Sequence, residues 1–345
     1  MNVFGKNFRV QIFGESHGPV IGVVIDGVKA GLPITTEDFA GEIARRKSGS
    51  NGTTPRIEAD EPQILSGVFE GHATGTPLAI IFRNQNTHSS DYEALRDVPR
   101  PGHADWTANV KWNGFNDPRG GGHFSGRLTL PIVAAGVVAK KMLSKANIIA
   151  QLIEVGGVPK PESMTDVKVQ DAAIAVQIWD EILAKAMAEN DSVGGIVECC
   201  IDGLPAGIGE PFWDSAESLI SHAIFAIPGV RGIEFGDGFA AARMKGSEHN
   251  DPFEYSEGRI RPAKNGSGGI NGGITNGGPI IFRVAFKPTS SIRKVQKTLN
   301  IKTNELETLI VPGRHDACIA LRAPVIVEAM AAIALADLVT TKKQW

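Results

Sequence analysis

Gly266–Ser291 reads GSGGINGGITNGGPIIFRVAFKPTSS. Seven glycines fall in its first thirteen residues, an apolar run follows from Pro279 to Phe286, and the stretch ends in Lys287-Pro288-Thr289-Ser290-Ser291. Glycine adopts positive φ without steric cost and lets a backbone pass close to a ligand. The apolar run has the length and composition of a buried strand. The lysine and the hydroxyls after it offer one cation and several donors, a set suited to phosphate. These glycines precede a strand. In a P-loop they precede a helix and read G-x-x-x-x-G-K-[ST], a string absent from this chain. The plainer interpretation of the same glycines is a mobile surface loop without a ligand.

The strand inside this stretch has an earlier echo. Ile280-Ile281-Phe282-Arg283 repeats Ile80-Ile81-Phe82-Arg83. Ile25-Asp26-Gly27 with Ala30-Gly31-Leu32 returns as Ile201-Asp202-Gly203 with Ala206-Gly207-Ile208. Gly102-His103-Ala104-Asp105 precedes one long Ala/Val segment, Leu128 to Lys145, and Gly313-Arg314-His315-Asp316 precedes another, Val325 to Val339. The order is the same in both halves. We therefore expect an α/β (α+β) fold in one domain, residues 1–345. It would be a sandwich of two pseudo-repeated units, approximately 20–145 and 196–340, with the two long apolar helices packed centrally between sheets.

The remaining segments follow the same rules. Phe8–Phe13, Val20–Asp26, Ile64–Val68, Pro77–Arg83, Ile148–Gly157, Ile196–Asp202 and Val230–Phe235 read as strands. Helices are expected after Thr35, over Asp180–Asn190 and Ala216–Ile227, and around Ile292–Thr298. Asn84–Trp112 reads as a long polar loop, Pro159–Ala175 as a charged surface insertion, and Glu248–Lys264 as a polar mobile segment.

Of the 345 residues, 42% are hydrophobic and 21% charged, an ordinary globular balance. The formal net charge of −3 argues against a nucleic-acid or anionic-membrane binder that works by bulk charge, though not against a local basic pocket. Cys199, Cys200 and Cys318 make no disulfide framework and no C-x-x-C pair, as in a reducing compartment. The N-terminus lacks the pattern of a secretory signal, and no apolar run is long enough to span a bilayer, so a soluble cytoplasmic protein is expected.

Three histidines stand in glycine-flanked turns: His17, His103 and His315, with Glu15, Asp105 and Asp316 close by in sequence. Imidazole is the usual acid or base near neutral pH. Zinc is disfavoured, since neither H-E-x-x-H nor a paired Cys/His spacing occurs. Arg45, Arg46, Arg127 and Arg314 lie at loop–helix junctions, where guanidinium groups suit phosphate or carboxylate. Each of them has a plainer explanation, as surface charge or as a cation complementing a helix C-terminus. Gly236-Asp237-Gly238-Phe239-Ala240-Ala241 after a strand mimics the dinucleotide fingerprint, and an NAD(P)-dependent oxidoreductase is the rival enzyme. We treat it as a decoy, because no helix signal persists past Gly246. A phospholigand-binding protein without turnover is the non-enzymatic rival.

Five strings in order, Phe13-Gly14-Glu15-Ser16-His17-Gly18, Arg100 to Asp105, Gly120-Gly121-Gly122 with Ser125-Gly126-Arg127, Lys287 to Ser291, and Gly313 to Asp316, resemble the chorismate synthase family from about residue 8 to residue 340. The resemblance implies a lyase of aromatic amino acid biosynthesis in the shikimate pathway. Such an enzyme eliminates phosphate 1,4-anti from 5-enolpyruvylshikimate 3-phosphate to give chorismate. It implies reduced FMN, NADPH or a separate flavin reductase as electron source, and a homotetramer. By the same resemblance His17, His103 and Asp316 are catalytic. His123, Phe124, Ser125, Gly272, Lys287, Pro288, Thr289, Ser290, Ser291 and Arg314 bind flavin, Arg46 and Arg127 serve substrate or NADPH, and no metal is used. This chain departs from the family pattern in four places, one of them Pro228-Gly229 near a family flavin contact, which is not carried over. It has His123-Phe124 where Arg-Ser is common, Ala317 where proline is common, and Arg56 as the nearest candidate for a second basic residue after Arg46.

Overall fold

Buried residues alternate with half-buried ones along the central strands, and that alternation builds two antiparallel sheets. The computed structural model describes residues 2–49, 51–54, 58–85, 94–160, 169–256, 258–313 and 315–340. In the first half β1 (Arg9–Gly14) and β2 (Val20–Asp26) form a hairpin, α1 (Ala40–Arg46) leads to β3 (Gln63–Ser66), and β4 (Leu78–Arg83) follows. Next come α2 (Asp105–Lys111) and α3 (Thr129–Met142). The second half contains β5 (Asn147–Val155), α4 (Val169–Ala188), β6 (Gly195–Asp202), α5 (Ala216–Phe225), β7 (Val230–Phe235), β8 (Ile280–Phe286) and α6 (Pro324–Thr340).

The strand order is β1-β2-β4-β3 in one sheet and β5-β6-β8-β7 in the other. Within each half the order is therefore first, second, fourth, third. Val3–Phe4 and Val158–Pro159 extend the β1 and β5 edges. Register places apolar residues opposite one another. Ile21 faces Phe82, Val23 faces Ile80 and Ile25 faces Leu78, all fully buried. In the second sheet Cys199 faces Phe282 and Val197 faces Val284, also fully buried.

Between the sheets run α3 and α6. Thr129 to Ala139 of α3 and Val325 to Val339 of α6 are buried throughout, as expected of helices apolar on every face. They meet at Gly136, where an added Cβ would stand 2.3 Å from the Cβ of Ala329 and 2.6 Å from its Cα. The absence of a side chain there lets the two helices approach backbone to backbone. Pro324 opens α6 at the position where a missing N–H costs nothing.

The only charged residues of α6 are Glu328 and Asp337, and both are satisfied. Glu328 accepts from Arg45 (2.7 Å to each oxygen), from Lys140 at 2.6 Å and from the Ala150 N–H at 2.8 Å. Burial opposes its ionisation, yet Arg45 and Lys140 hold its pKa below the ordinary value. Arg45 is thus a structural partner of α6.

Several segments differ from the sequence expectation. Asp105–Lys111 is helical, whereas Asn84–Trp112 reads as loop. An N-terminal Asp and a Trp112 ring packed 5.5 Å from Phe124 stabilise a helix whose own propensity is weak. Residues 169 onward of the expected insertion belong to α4. Phe253–Ser256 pairs with Arg259–Pro262 as a hairpin inside the segment expected to be mobile. Gln296–Leu299 pairs with Leu306–Leu309, replacing the helix expected around Ile292–Thr298. Its partner lies a few residues on, so local pairing overrides helix-tolerant composition. Among the described residues no helix is long and apolar enough to cross a membrane.

Candidate active site

The β1–β2 turn carries His17, and the loop before α3 holds it in place. The Ser16 N–H donates to the Gly122 carbonyl at 3.0 Å, and the Asn84 side-chain amide donates to the carbonyls of Glu15 (3.1 Å) and Gly18 (2.8 Å). Gly120, Gly121 and Gly122 have φ of 58°, 81° and 54°, a left-handed run open to glycine. An added Cβ on Gly120 would stand 2.4 Å from His17 Nδ1 and 2.7 Å from Ser16 Oγ. One on Gly121 would stand 3.3 Å from His103 Cε1 and 3.4 Å from its Nε2. A single glycine turn thus passes between the two imidazoles.

His103 is held from the side away from that turn. Its Nδ1 lies 2.6 Å from Asp105 Oδ1 and 3.1 Å from Arg100 Nη2. A carboxylate so close fixes the proton on Nδ1 and leaves Nε2 as the exchanging nitrogen. Arg100 grips Asp105 through Nε and Nη2, both at 2.7 Å. Burial opposes the Asp105 charge, but the hydrogen bonds from Arg100 and His103 hold its carboxyl well below the usual range.

A second cluster is built from arginines. Arg46 donates to Thr129 Oγ1 at 2.9 Å and to the Gly126 carbonyl at 3.1 Å. Asp60 lies 3.5 Å from Arg46 and is paired directly with Arg127, which also donates to Asn84 Oδ1 at 3.0 Å. Arg322 donates to the Arg46 carbonyl at 2.9 Å and lies 3.3 Å from Asp316. The other Asp316 oxygen accepts the Thr54 N–H at 2.7 Å. Three guanidinium groups therefore share two carboxylates. Burial first, then the neighbouring Arg322, pushes Arg46 down to about 9.

The segment after β8 closes the other side. Lys287 Nζ donates to the Gly102 carbonyl and to Ser290 Oγ (2.8 Å), Ser290 Oγ donates to the same carbonyl at 2.8 Å, and Arg100 donates to Ser291 Oγ at 3.0 Å. Thr289 Oγ1 is buried with no hydrogen-bond partner among the described residues. Burial, and then Arg231, lower the Lys287 pKa. His315 Nε2 donates to the Pro312 carbonyl at 3.0 Å, and burial lowers its pKa, favouring the neutral ring.

These groups border one cavity of about 940 Å³, within the size range of small-molecule sites. One part of its wall is cationic, with Arg46, Arg127, Arg322, Arg100, Lys47 and Lys287 against Glu58, Asp60 and Asp316. Another part is apolar, from Val10, Ile12, Ile132, Ile326, Met330 and Ile333.

Most residues expected from sequence meet at this cavity: His103, Asp316, Arg46, Arg127, His123, Phe124, Ser125 and the whole of Lys287–Ser291. His17 is buried one layer back, behind Gly120. His123 Nδ1 lies 2.8 Å from the Gly14 carbonyl, and Ser125 Oγ accepts the Arg127 N–H at 3.3 Å. Gly272 is elsewhere, on the exposed turn of the hairpin Ile270–Asn271 with Ile274–Thr275. Arg314 and Arg56 lie outside the described residues. The glycines of Gly266–Gly278 pack mainly against backbone: a Cβ on Gly268 would stand 2.4 Å from the Gly236 nitrogen, and one on Gly269 2.3 Å from the Pro279 carbonyl oxygen. The dinucleotide-like string leads into the 3-10 turn Gly238–Arg243, and a Cβ on Gly238 would meet the Glu234 carboxylate at 2.2 Å. It offers no long helix N-terminus to a pyrophosphate.

Sequence reasoning picked out Asp105 as the carboxylate beside His103 but missed Arg100, Asp60 and Arg322 as site residues. Arg100 stands in the same string as His103 and was within reach. Asp60 and Arg322 sit in no motif, and only the fold brings them to Arg46.

The sequence model described as chorismate synthase matches residues 8–340. A chorismate synthase of Chitinophaga pinensis is 58% identical over 338 residues, covering 98% of this chain and 96% of that protein. One from Dehalococcoides mccartyi is 47% identical over 350 residues, with 98% and 96% covered. A crystal structure of chorismate synthase superposes with a TM-score of 0.75 at 27% identity, covering 99% of this chain and 94% of that one. With its motifs gathered at one cavity and relatives matched along nearly its full length, the chain belongs to the chorismate synthase family.

Proposed function

We propose that this chain eliminates phosphate from 5-enolpyruvylshikimate 3-phosphate in a 1,4-anti sense, giving chorismate, with reduced FMN held in the same cavity. The observation that carries this reading is the meeting of a carboxylate-held imidazole, a charge-deficient arginine cluster and the Lys287–Ser291 segment around one space. The substrate bears a phosphate and carboxylates, and a buried site with three guanidinium groups to two carboxylates favours such an anion. Arg46, Arg127 and Arg322 would bind and orient it. A two-part wall, cationic and apolar, also suits a planar heterocycle with a phosphorylated tail, and the unpartnered Thr289 hydroxyl is a donor waiting for an acceptor.

Reduced flavin, when bound, supplies electron density to a ring made electron-deficient as phosphate leaves, and a base for the ring proton. Asp105 keeps the His103 proton on Nδ1, so that Nε2 can give or take a proton at the cavity wall. His17, behind the same glycine turn, is the second acid. Asp316, at the edge of the arginine cluster, assists proton removal. Arg314 and Gly272 would complete the flavin site, Gly272 from a neighbouring copy of the chain. Exposed Phe212 (83%) and Trp213 (89%), with Phe253 and Tyr255 on their hairpin, support self-association into a homotetramer. Cytoplasmic location and use of NADPH, or of a separate flavin reductase, belong to the same reading.

The test supplies the phosphorylated enolpyruvyl substrate with photoreduced FMN under anaerobic conditions and follows chorismate and free phosphate. Equal release of both is expected. Folded protein that releases neither would overturn the assignment. Replacing photoreduction by NADPH alone identifies the electron source: turnover assigns flavin reduction to this chain, and its loss assigns it to a separate reductase.

A further inference from the structure

We propose that Arg231 is a second cation for the phosphate end of the bound flavin mononucleotide, acting beside Lys287. This rests on the flavin reading above and adds a residue that no motif singles out.

The backbone shows why Arg231 is aimed there. β7 pairs with β8 as Val230 opposite Phe286, then as Gly232 opposite Ala285, so Arg231 is the extra residue of a β-bulge. A bulge takes its residue out of strict alternation and re-aims the side chain. Arg231 accordingly reaches the cavity, where Lys287 also stands. The two are anchored together, because the Lys287 N–H donates to the Gly229 carbonyl at 2.9 Å.

The chemistry is that of an incomplete anion site. Arg231 has no ion pair and no hydrogen bond among the described residues, and its charge presses on Lys287, helping to lower that pKa. Of the three hydroxyls after Lys287, Ser290 and Ser291 are committed to Gly102 and Arg100, while Thr289 Oγ1 is buried and unpartnered. Lys287 Nζ uses two of its three protons on Gly102 and Ser290. One guanidinium, one hydroxyl and one ammonium proton therefore remain for a ligand. A phosphomonoester dianion accepts all three and relieves the repulsion between the cations.

The test is equilibrium binding of oxidised FMN and of riboflavin to the whole protein, read by flavin fluorescence. Wild type is expected to prefer FMN. In R231Q, with wild-type circular dichroism and melting temperature, FMN affinity should fall about tenfold or more while riboflavin affinity stays unchanged, the loss of one charge-assisted phosphate contact. R231K, which keeps the charge and loses the planar fork, should show a smaller loss of the same preference, and it decides the matter if R231Q does not fold. An unchanged FMN-to-riboflavin ratio in the folded variant overturns the role of Arg231 alone. A wild-type protein that binds both flavins equally overturns the flavin-phosphate reading and this proposal with it.

Discussion

Gly120 and His103 show how single residues set this site. At Gly120 the backbone is left-handed and the His17 ring occupies the space a side chain would need. Gly120→Ala must either strain the turn or move the imidazole, at a cost of about 1–3 kcal/mol. Turnover is expected to fall tenfold or more in an otherwise folded protein. Gly41→Ala, where the added carbon meets nothing within 4 Å, serves as the control and should be neutral. For His103→Ala we expect retained substrate binding and a loss of roughly 10²–10⁴ in kcat, the usual contribution of a placed acid or base. Wild-type kcat would remove His103 from the chemistry. Asp105 adds a pH dependence. Its folded pKa is depressed, so its stabilisation is present above the unfolded value of about 4 and is lost as pH falls below it. The gap in melting temperature between wild type and Asp105→Asn should therefore narrow as pH drops below about 4. The histidine turns were legible in sequence because glycines flank them. Asp60 and Arg322 were not, because their role depends on who meets Arg46 in space and no local pattern encodes that.

At the scale of elements, α6 is the most demanding. It is apolar on every face, yet it carries Asp337, whose Oδ1 accepts the N–H groups of Lys6 (2.8 Å), Asn7 (2.6 Å) and Phe8 (2.9 Å). The carboxylate ties the N-terminal segment to the central helix and feeds the chain into β1. Asp337→Ala leaves three backbone donors without their acceptor. A loss of about 3 kcal/mol is expected by chemical denaturation, on the scale of one to three per unsatisfied group, with Asp337→Asn losing less because one oxygen remains. Equal stability of the two variants would mean that water replaces the carboxylate freely. The two central helices and the sheet strands were readable because their patterns are long: continuous apolar runs, or period-two alternation between glycine turns. The shorter elements were not. Gln296–Leu299 is polar enough to pass for a helix, and its strand character comes from pairing with Leu306–Leu309. α2 is only seven residues long, and its packing rather than its composition stabilises it.

Across the molecule, the two sheets share one strand order, yet one continuous hydrophobic cluster runs from Val10 in the first sheet through α3 and α6 to Phe286 in the second. We propose that residues 20–145 and 196–340 are pseudo-equivalent halves, which superposition of the two segments would test directly. β1 and β5 lie just before those bounds, and each pairs antiparallel with the first strand inside them. Equivalence does not imply independence. α3 buries itself against α6, and the cavity draws His103 and Arg127 from one half and Lys287 and Arg322 from the other. A half alone would expose an all-round apolar helix and hold half a site. The whole chain should therefore unfold in one cooperative calorimetric transition, with no separate melting of the two halves. A ligand that binds only the assembled cavity shifts such a transition as a unit, by RT ln(1 + [L]/Kd), about 2.7 kcal/mol at a hundredfold excess over Kd. FMN should move the entire peak upward. Two resolved peaks, with only one of them responding to FMN, would show that the halves are separate folding units and that the site belongs to one of them.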